Sequence, residues 1–252
     1  MSREARLLVA RARVAALEAG GAARHAVLPF GDARIDDVLP DGGLPLGRWH
    51  EAAGEGLELE TAAAAGAFVA VTAAPLAATG AVVWVMRRDD LHAPGLASLN
   101  FPAEQLIQVC VRDEVQVLAA LEDALGSAGV AAAIGEVGDV DLTAGRRLQL
   151  ACEKHGATGF VIRRRPFGGA GKRAGAGSSA ATRWIVASAP SAPMPGEPGL
   201  GAPRWRVRLE RCRGGRLGAW IMEKSDGPYR LRVVAELGDR QLEAPQSLRR
   251  AG

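Results

Sequence analysis

Aromatic residues and cysteines are scarce in this chain, and neither positive nor negative charge is in large excess. Aromatic side chains make up 4% of the 252 residues, so alanine and glycine dominate a hydrophobic fraction of 48%. Small side chains let helices pack closely, and a chain of this length can bury the core of one α/β domain. The net charge of +3 is too small for a protein that coats nucleic acid over its whole surface. Any contact with nucleic acid must therefore come from a local cluster of basic residues.

The few cysteines and histidines have no spacing that suggests a bond or a metal. Cys110, Cys152 and Cys212 are odd in number and never form a Cys-x-x-Cys pair, which argues against a disulfide framework or a zinc site. The four histidines show no metal-ligand spacing either. We therefore expect buried free thiols in a reducing cytoplasm, with no metal and no other cofactor.

Two stretches could be mistaken for targeting or membrane segments. The opening sequence MSREARLLVARARVAALEAG carries charge every few residues and lacks the apolar run of a signal peptide. Residues 61–86 are uncharged, but Pro75 and Gly80 divide them, and the part after Gly80 is rich in β-branched residues. This pattern indicates a buried helix followed by a buried strand. We expect a cytoplasmic protein without membrane association.

The N-terminal element, residues 1–24, is predicted to be an amphipathic helix. Leu7, Val14 and Leu17 fall at helical spacing on one face, and glycines follow the helix. A stripe this narrow does not require a domain of its own, yet something must cover it. It can pack on the core of its own chain or serve as a partner-binding helix.

The middle of the chain alternates short apolar strands with helices. Strands are predicted in RWHEAA, AVVWVM, LIQVCV, VAAAIGEV and TGFVIRR, with helices in the Ala-rich segment, near 113–128 and near 142–155. This alternation is typical of a mostly parallel sheet covered on both faces. We assign residues 25–240 to this α/β core and residues 241–252 to a flexible tail.

The C-terminal part of the core is predicted to be an antiparallel hairpin addition. Its strands alternate strictly between apolar and charged residues, which indicates one buried and one solvated face. The apolar face holds Trp205, Val207 and Leu209, and the charged face holds Arg204, Arg206 and Arg208.

A basic, glycine-rich segment interrupts the pattern between residues 163 and 183. Glycine and serine favour a mobile loop, and basic side chains favour contact with phosphate. Its basic residues are Arg163, Arg164, Arg165, Lys172, Arg173 and Arg183. A solvated loop without a ligand and a single-stranded DNA contact both fit this composition.

The stretch GGLPLGRWHEAAGEGLELET resembles the start of the ATPase core in the RecA recombinase family. Aligned without gaps, Gly54 falls on the first glycine of the phosphate-binding loop and Leu59 on the second. Glu60 falls on the lysine and Thr61 on the hydroxyl residue. The likeness continues through LIQVCV and VAAAIGEV to the C-terminal hairpin, so it covers most of residues 40–237. The resemblance implies a RecA-like core.

The aligned site departs from that family at every charged position. The lysine neutralises the β- and γ-phosphates, whereas Glu60 would place a like charge near them, at a cost of about 4 kcal/mol at 4 Å and an effective dielectric near 20. The Walker B aspartate falls on Gly135, with Glu136 the nearest carboxylate, and the water-activating glutamate falls near Arg88, beside Asp89. The pattern predicts a degenerate site without ATPase activity.

A RecA-like core with a degraded phosphate-binding loop, a short N-terminal helix and no C-terminal globular domain resembles the ImuA family, also called SulA-like. The resemblance implies a non-catalytic accessory subunit of damage-induced translesion synthesis, part of the SOS response. The implied partners are ImuB, an alternative C-family DNA polymerase and RecA. It also implies weak single-stranded DNA binding by the basic loop and docking of the N-terminal helix on RecA. An active RecA-like ATPase and a cell-division inhibitor of the SulA type are the alternatives.

Overall fold

The computed structural model describes residues 26–56, 58–164, 178–191, 193, 196, 200–226 and 230–237. Several predicted features lie outside this part of the chain, including the N-terminal helix with Leu7, Val14 and Leu17 and the tail 241–252. Arg165, Lys172 and Arg173 also lie outside it, as do the side chains of Leu59, Glu60 and Thr61.

A nine-stranded sheet organises the described residues. The strands are β3 (Trp49–Gly54), β4 (Ala81–Met86), β5 (Leu106–Cys110), β6 (Val130–Val137), β7 (Thr158–Arg163), β8 (Thr182–Ala189), β9 (Arg204–Cys212), β10 (Gly218–Lys224) and β11 (Leu231–Glu236). From one edge to the other, they follow the order β11-β10-β9-β8-β3-β7-β6-β4-β5. The six strands from β8 to β5 run parallel, and β8, β9, β10 and β11 pair antiparallel.

Helices and short turns cover both faces of this sheet. The α-helices are α1 (Ala33–Asp36), α2 (Glu58–Ala73), α3 (Glu114–Leu125) and α4 (Leu142–His155). Asp113 and Asp141 begin α3 and α4 by accepting hydrogen bonds from backbone N–H groups of the first turn. Short 3-10 turns lie at Pro40–Gly42, Ala74–Ala78, Ala93–Leu99 and Ala103–Gln105, and β1 (Val27–Leu28) pairs with β2 (Leu44–Pro45).

The core forms one hydrophobic layer on each side of the sheet. Phe68 of α2, Trp84 and Trp184 belong to the layer on the α2 side. Trp49 and Leu121 belong to the layer under α3 and α4. Because both faces of the inner parallel strands are covered, most of these strands are nearly continuous apolar runs, whereas β5 at the edge is largely exposed. The predicted α/β fold with a mostly parallel central sheet is confirmed.

The antiparallel addition has the two faces that the alternation predicted. The apolar face of β9 is buried: Trp205 is 3% exposed, Val207 0% and Leu209 1%. The arginines between them are partly or fully exposed. This part of the sequence analysis is also confirmed, because a strand with only one covered face needs polar residues at every second position.

Other predictions need correction. The thiol of Cys110 is exposed, because it lies on β5 at the edge of the sheet, whereas Cys152 is buried. Burial raises the pKa of the Cys152 thiol to about 12. The basic segment is shorter than predicted, since Arg163 ends β7 and Arg183 lies inside β8. Helices long and apolar enough to cross a membrane do not occur in the described part of the chain.

Candidate functional site

The carboxyl ends of the parallel strands converge on one edge of the sheet, where α/β proteins bind their ligands. Six chain segments leave the sheet there, and those that concern the site follow Gly54 of β3, Met86 of β4, Val137 of β6 and Arg163 of β7. The degenerate nucleotide site of the sequence analysis falls on the first, second and third of these segments. We call this region the carboxyl edge.

The turn after β3 places a carboxylate where a phosphate-binding loop would lie. Gly54 ends the strand, and α2 begins at Glu58, so Glu60 and Thr61 lie in its first turn. The Glu55 carboxylate accepts hydrogen bonds from Arg206 at 2.7 Å and Arg208 at 3.2 Å. Partial burial by itself raises the pKa of Glu55, but these two guanidinium groups hold it below its usual value. The turn therefore carries a bound acidic side chain that the sequence analysis did not single out.

Gly135, aligned with the Walker B aspartate, has a packing role. A Cβ atom on Gly135 would lie 2.7 Å from Cδ2 of Leu121, a buried residue of α3. An aspartate there would therefore displace Leu121. It would also point away from α2, because successive side chains of a strand alternate between faces and Ile134 belongs to the α2-side layer.

Glu136 is the carboxylate that shares a face with α2, and its partners are side chains of this protein. It is 7% exposed and accepts a hydrogen bond of 2.8 Å from Nε1 of Trp84. Arg164 donates to its other oxygen, from Nε at 2.7 Å and from a terminal nitrogen at 2.6 Å. The same guanidinium lies 3.5 Å from Asp90. Arg164 therefore supplies the positive charge that a metal ion would supply to a Walker B carboxylate.

The segment after β4 contributes Asp90 to this cluster, through its ion pair with Arg164. Arg88 and Asp89, the residues near the aligned water-activating position, are both exposed. Within the described ranges, no group of three or more His, Cys, Asp and Glu side chains is arranged to hold a metal ion.

A buried ionic network lies below the carboxyl edge, on the face of the sheet opposite α2. Its centre is Glu51 of β3, which is 2% exposed. The Glu51 carboxylate accepts hydrogen bonds from Arg163 at 2.9 Å, from Arg183 at 3.1 Å and from the hydroxyl of Ser178 at 3.0 Å. Sequence reasoning missed this network, and its only signal was a glutamate in a strand of mostly apolar residues.

This network changes the interpretation of the predicted DNA loop. Arg163 also bonds to the carbonyl oxygen of Gly138 at 2.8 Å and to Asp139 at 2.5 Å. Arg183 is 5% exposed, and Arg164 forms an ion pair with Glu136. The placement of Arg183 on a solvated loop was wrong, because its strand lies beside Glu51 and the pair is buried together. The three arginines hold the two ends of the segment rather than extending from it.

His50, next to Glu51, faces the opposite side of the sheet and is 1% exposed. Its ring nitrogens lie 2.8 Å from Oγ1 of Thr182 and 2.9 Å from the carbonyl oxygen of Pro45. Burial lowers the pKa of His50 from its ordinary 6.5 to about 4, although the bond to Pro45 opposes this shift. The side chain is therefore a neutral packing group at physiological pH.

Comparison with known proteins identifies a relative along nearly the whole chain. The chain matches no protein-family model. It is 54% identical over 244 residues to "Protein ImuA" from two strains of Caulobacter vibrioides, covering 94% of this chain and 100% of that protein.

Proposed function

The chain belongs to the ImuA family, and from this premise we propose that it is a non-catalytic accessory subunit of damage-induced mutagenesis. In this role it recruits or regulates the proteins of translesion synthesis and does not turn over nucleotide. The observation that carries the proposal is the pairing of Glu136 with Arg164 at the carboxyl edge. There an internal guanidinium occupies the neighbourhood that a catalytic metal would need.

Several features of the edge oppose binding of ATP with Mg²⁺. A metal at Glu136 would have to displace Arg164 and so break the ion pair of a buried carboxylate, which is costly. Gly135 leaves no room for an aspartate without movement of Leu121. Glu55 and Glu60 make the turn acidic, whereas a phosphate-binding loop relies on backbone N–H groups and a lysine.

Titration calorimetry with ATP and Mg²⁺ tests this proposal. We expect no heat of binding from the natural chain or from a Glu60→Lys variant, because the lysine would restore only one of the missing parts. An active RecA recombinase measured in parallel provides the reference signal. A micromolar dissociation constant for the natural chain would refute the proposal, and binding by Glu60→Lys alone would show that Arg164 does not block the site.

The partners that we propose are ImuB, an alternative C-family DNA polymerase and RecA. Affinity capture of the tagged chain from DNA-damaged cells should recover these proteins. Capture of the division protein FtsZ in their place would favour the cell-division inhibitor.

A chain without residues 1–24 should stay folded by circular dichroism, lose RecA and keep ImuB if the stripe Leu7, Val14 and Leu17 docks on RecA. Unfolding of that chain would instead assign the helix to its own core.

Any affinity for single-stranded DNA should be weak and should come from Arg165, Lys172 and Arg173. We base this on the ion pairs of Arg163, Arg164 and Arg183, which occupy their guanidinium groups. Fluorescence anisotropy at two salt concentrations should show a salt-sensitive affinity that a Lys172→Ala, Arg173→Ala variant loses. The matched control is Arg206→Ala with Arg208→Ala, which removes the same charge from β9. Equal losses in both variants would contradict an assignment to the loop.

A further inference from the structure

The two outer strands of the sheet differ in how their free backbone groups are covered. At β11, the carboxylate of Asp32 accepts a hydrogen bond from the backbone N–H of Val233 at 3.3 Å. Arg34 donates to the carbonyl oxygen of the same residue at 2.8 Å, and Asp32 and Arg34 pair with each other at 2.6 Å. An added strand could not form a regular ladder there, because these side chains already bond its central residue.

The opposite edge, β5, has no such cover among the described residues. The N–H of Val111, just beyond β5, donates to the carbonyl oxygen of Met86 at 2.9 Å, so the backbone of Val111 faces β4. Because backbone groups alternate in direction along a strand, those of Leu106, Gln108 and Cys110 face outward. Within the described part of the chain, the Leu106 N–H donates to the carbonyl oxygen of Ala103 in the preceding turn, whereas the Leu106 carbonyl oxygen and the backbone groups of Gln108 and Cys110 have no partner.

The side chains of β5 also lack the features that usually protect an edge. The strand LIQVC contains no proline and no charged residue. The side chain of Ile107 is 51% exposed, and Gln108 and Cys110 are exposed as well. Natural edge strands are commonly blunted by lysine, proline or a bulge. An uncharged strand with free backbone groups is instead suited to pairing with another strand.

We propose that β5 pairs antiparallel with β5 of a second copy of this chain, around a two-fold axis at Gln108. In this register each Gln108 lies opposite its counterpart, and Leu106 lies opposite Cys110 of the second copy. The two Gln108 residues exchange both backbone hydrogen bonds, and each Cys110 N–H donates to the Leu106 carbonyl oxygen of the other copy, so the ladder can close without a shift in register. The Leu106 N–H keeps its bond to Ala103. Ile107 then lies opposite Val109 of the second copy on the same face, and its exposed surface is covered.

The charges that flank the strand are the observation that selects a second copy as the occupant. Glu104 precedes Gln108 by four residues and Arg112 follows it by four. The two-fold axis therefore brings the 3-10 turn that holds Glu104 in each copy close to Arg112, just beyond the strand, in the other. Both side chains are exposed, and neither forms an ion pair within the described residues. A single pair of strands buries little surface, so we expect a dissociation constant in the range of about tens of micromolar.

Charge reversal tests the register. Analytical ultracentrifugation should show a monomer–dimer equilibrium, and Glu104→Arg or Arg112→Glu alone should each weaken the dimer about tenfold or more, because two attractive contacts become repulsive. The combined variant should restore the affinity to within about threefold. Asp123→Arg, the same charge change on α3, is the matched control and should have no effect. A chain that stays monomeric at several hundred micromolar, or a dimer indifferent to the reversals, overturns the proposal.

A cross-link provides a second measurement that does not depend on charge. In a Cys110→Ser background, Gln108→Cys places two thiols opposite each other across the axis, within the Cα separation that a disulfide tolerates. Mild oxidation should convert this variant into a covalent dimer. The natural chain should not cross-link, because Cys110 lies opposite Leu106. Absence of the Gln108→Cys dimer, or equally efficient cross-linking of the natural chain, would contradict the register.

Discussion

Glu51 and Glu55 lie four residues apart, on β3 and in the turn that follows, yet they hold their arginines in different surroundings. Each carboxylate binds two arginines: Arg163 and Arg183 bind Glu51, and Arg206 and Arg208 bind Glu55. The Glu51 side chain is 3% exposed, whereas that of Glu55 is 35% exposed. The pairing chemistry is the same, and only the access of water differs.

This difference in exposure gives Glu51 a structural role and Glu55 a local electrostatic one. Removing water from ions is costly, so a buried carboxylate is tolerated only while all of its partners remain in place. The Glu51 network therefore fixes the ends of β7 and β8, between which the segment after Arg164 leaves and re-enters the sheet. Water and salt screen the Glu55 pairs, so they stabilise the fold little. Their effect is to hold the acidic side chain of Glu55 in the turn after β3.

Removal of the buried Glu51 carboxylate should change the stability of the fold more than removal of the exposed Glu55 carboxylate. We expect Glu51→Ala to lower the free energy of unfolding by about 3–5 kcal/mol, because buried Arg183 loses its counter-charge and Arg163 keeps only the exposed Asp139. Nε of Arg183 already lacks a hydrogen-bond partner in the described part of the structure, so the loss of Glu51 would leave this buried guanidinium with still fewer hydrogen bonds. Urea denaturation measures the change. A loss below about 1 kcal/mol would mean that water reaches the network.

Acidification should destabilise the fold through His50, a buried residue of β3. The pKa of His50 is lowered from 6.5 to about 4 by burial, so between these values the unfolded chain binds more protons than the folded one. The contribution of neutral His50 is present above pH 6.5 and is lost as the pH falls toward 4. We expect a decrease of about 2 kcal/mol between pH 7 and pH 5 in urea denaturation. A His50→Asn variant should lack this decrease, and an unchanged slope would show that His50 is not its source.

Removal of the exposed carboxylate should have a small effect that depends on salt. Glu55→Ala should cost at most about 1 kcal/mol at low salt and less at 1 M salt, where screening is strong. The loss from Glu51→Ala should change little with salt. Because the folded pKa of Glu55 lies below its usual value, its contribution is present above that value and disappears as the pH falls through the folded pKa. A salt-independent loss for Glu55→Ala would remove the distinction between the two networks.

The smallest expected effect is the coupling between single partners at the exposed site. A double-mutant cycle of Glu55→Ala with Arg206→Ala should give about 0.2–1 kcal/mol, the range of exposed ion pairs. The equivalent cycle of Glu51→Ala with Arg163→Ala should give a larger coupling, since these two side chains are only 3% and 9% exposed. Similar couplings in the two cycles would show that burial does not govern these energies.

Strands and helices were predictable wherever the local pattern carries the information. The alternation of Trp205, Val207 and Leu209 with arginines indicated a half-buried strand, and β9 is such a strand. The apolar segments between helices indicated covered parallel strands, and five of them form one parallel array with β8. Cys110 was misjudged because a strand at a sheet edge has the same local sequence as one in its interior.

The site depended on contacts that sequence spacing does not reveal. Arg163 and Arg183 lie 112 and 132 residues from Glu51 along the chain, and Arg206 lies 151 residues from Glu55. The basic composition between residues 163 and 183 indicated contact with phosphate. Three of its arginines instead bond to carboxylates that other strands bring beside them.

By itself, the sequence determined the α/β alternation, the two faces of the C-terminal addition, and the family resemblance that its relative bears out. These follow from local periodicity and from residues that stay recognisable in one dimension. Only the tertiary structure decided which arginines are occupied, which carboxylate faces α2 and which edge of the sheet is covered. Those outcomes depend on strand order and on the exclusion of water, which arise only when distant segments pack together.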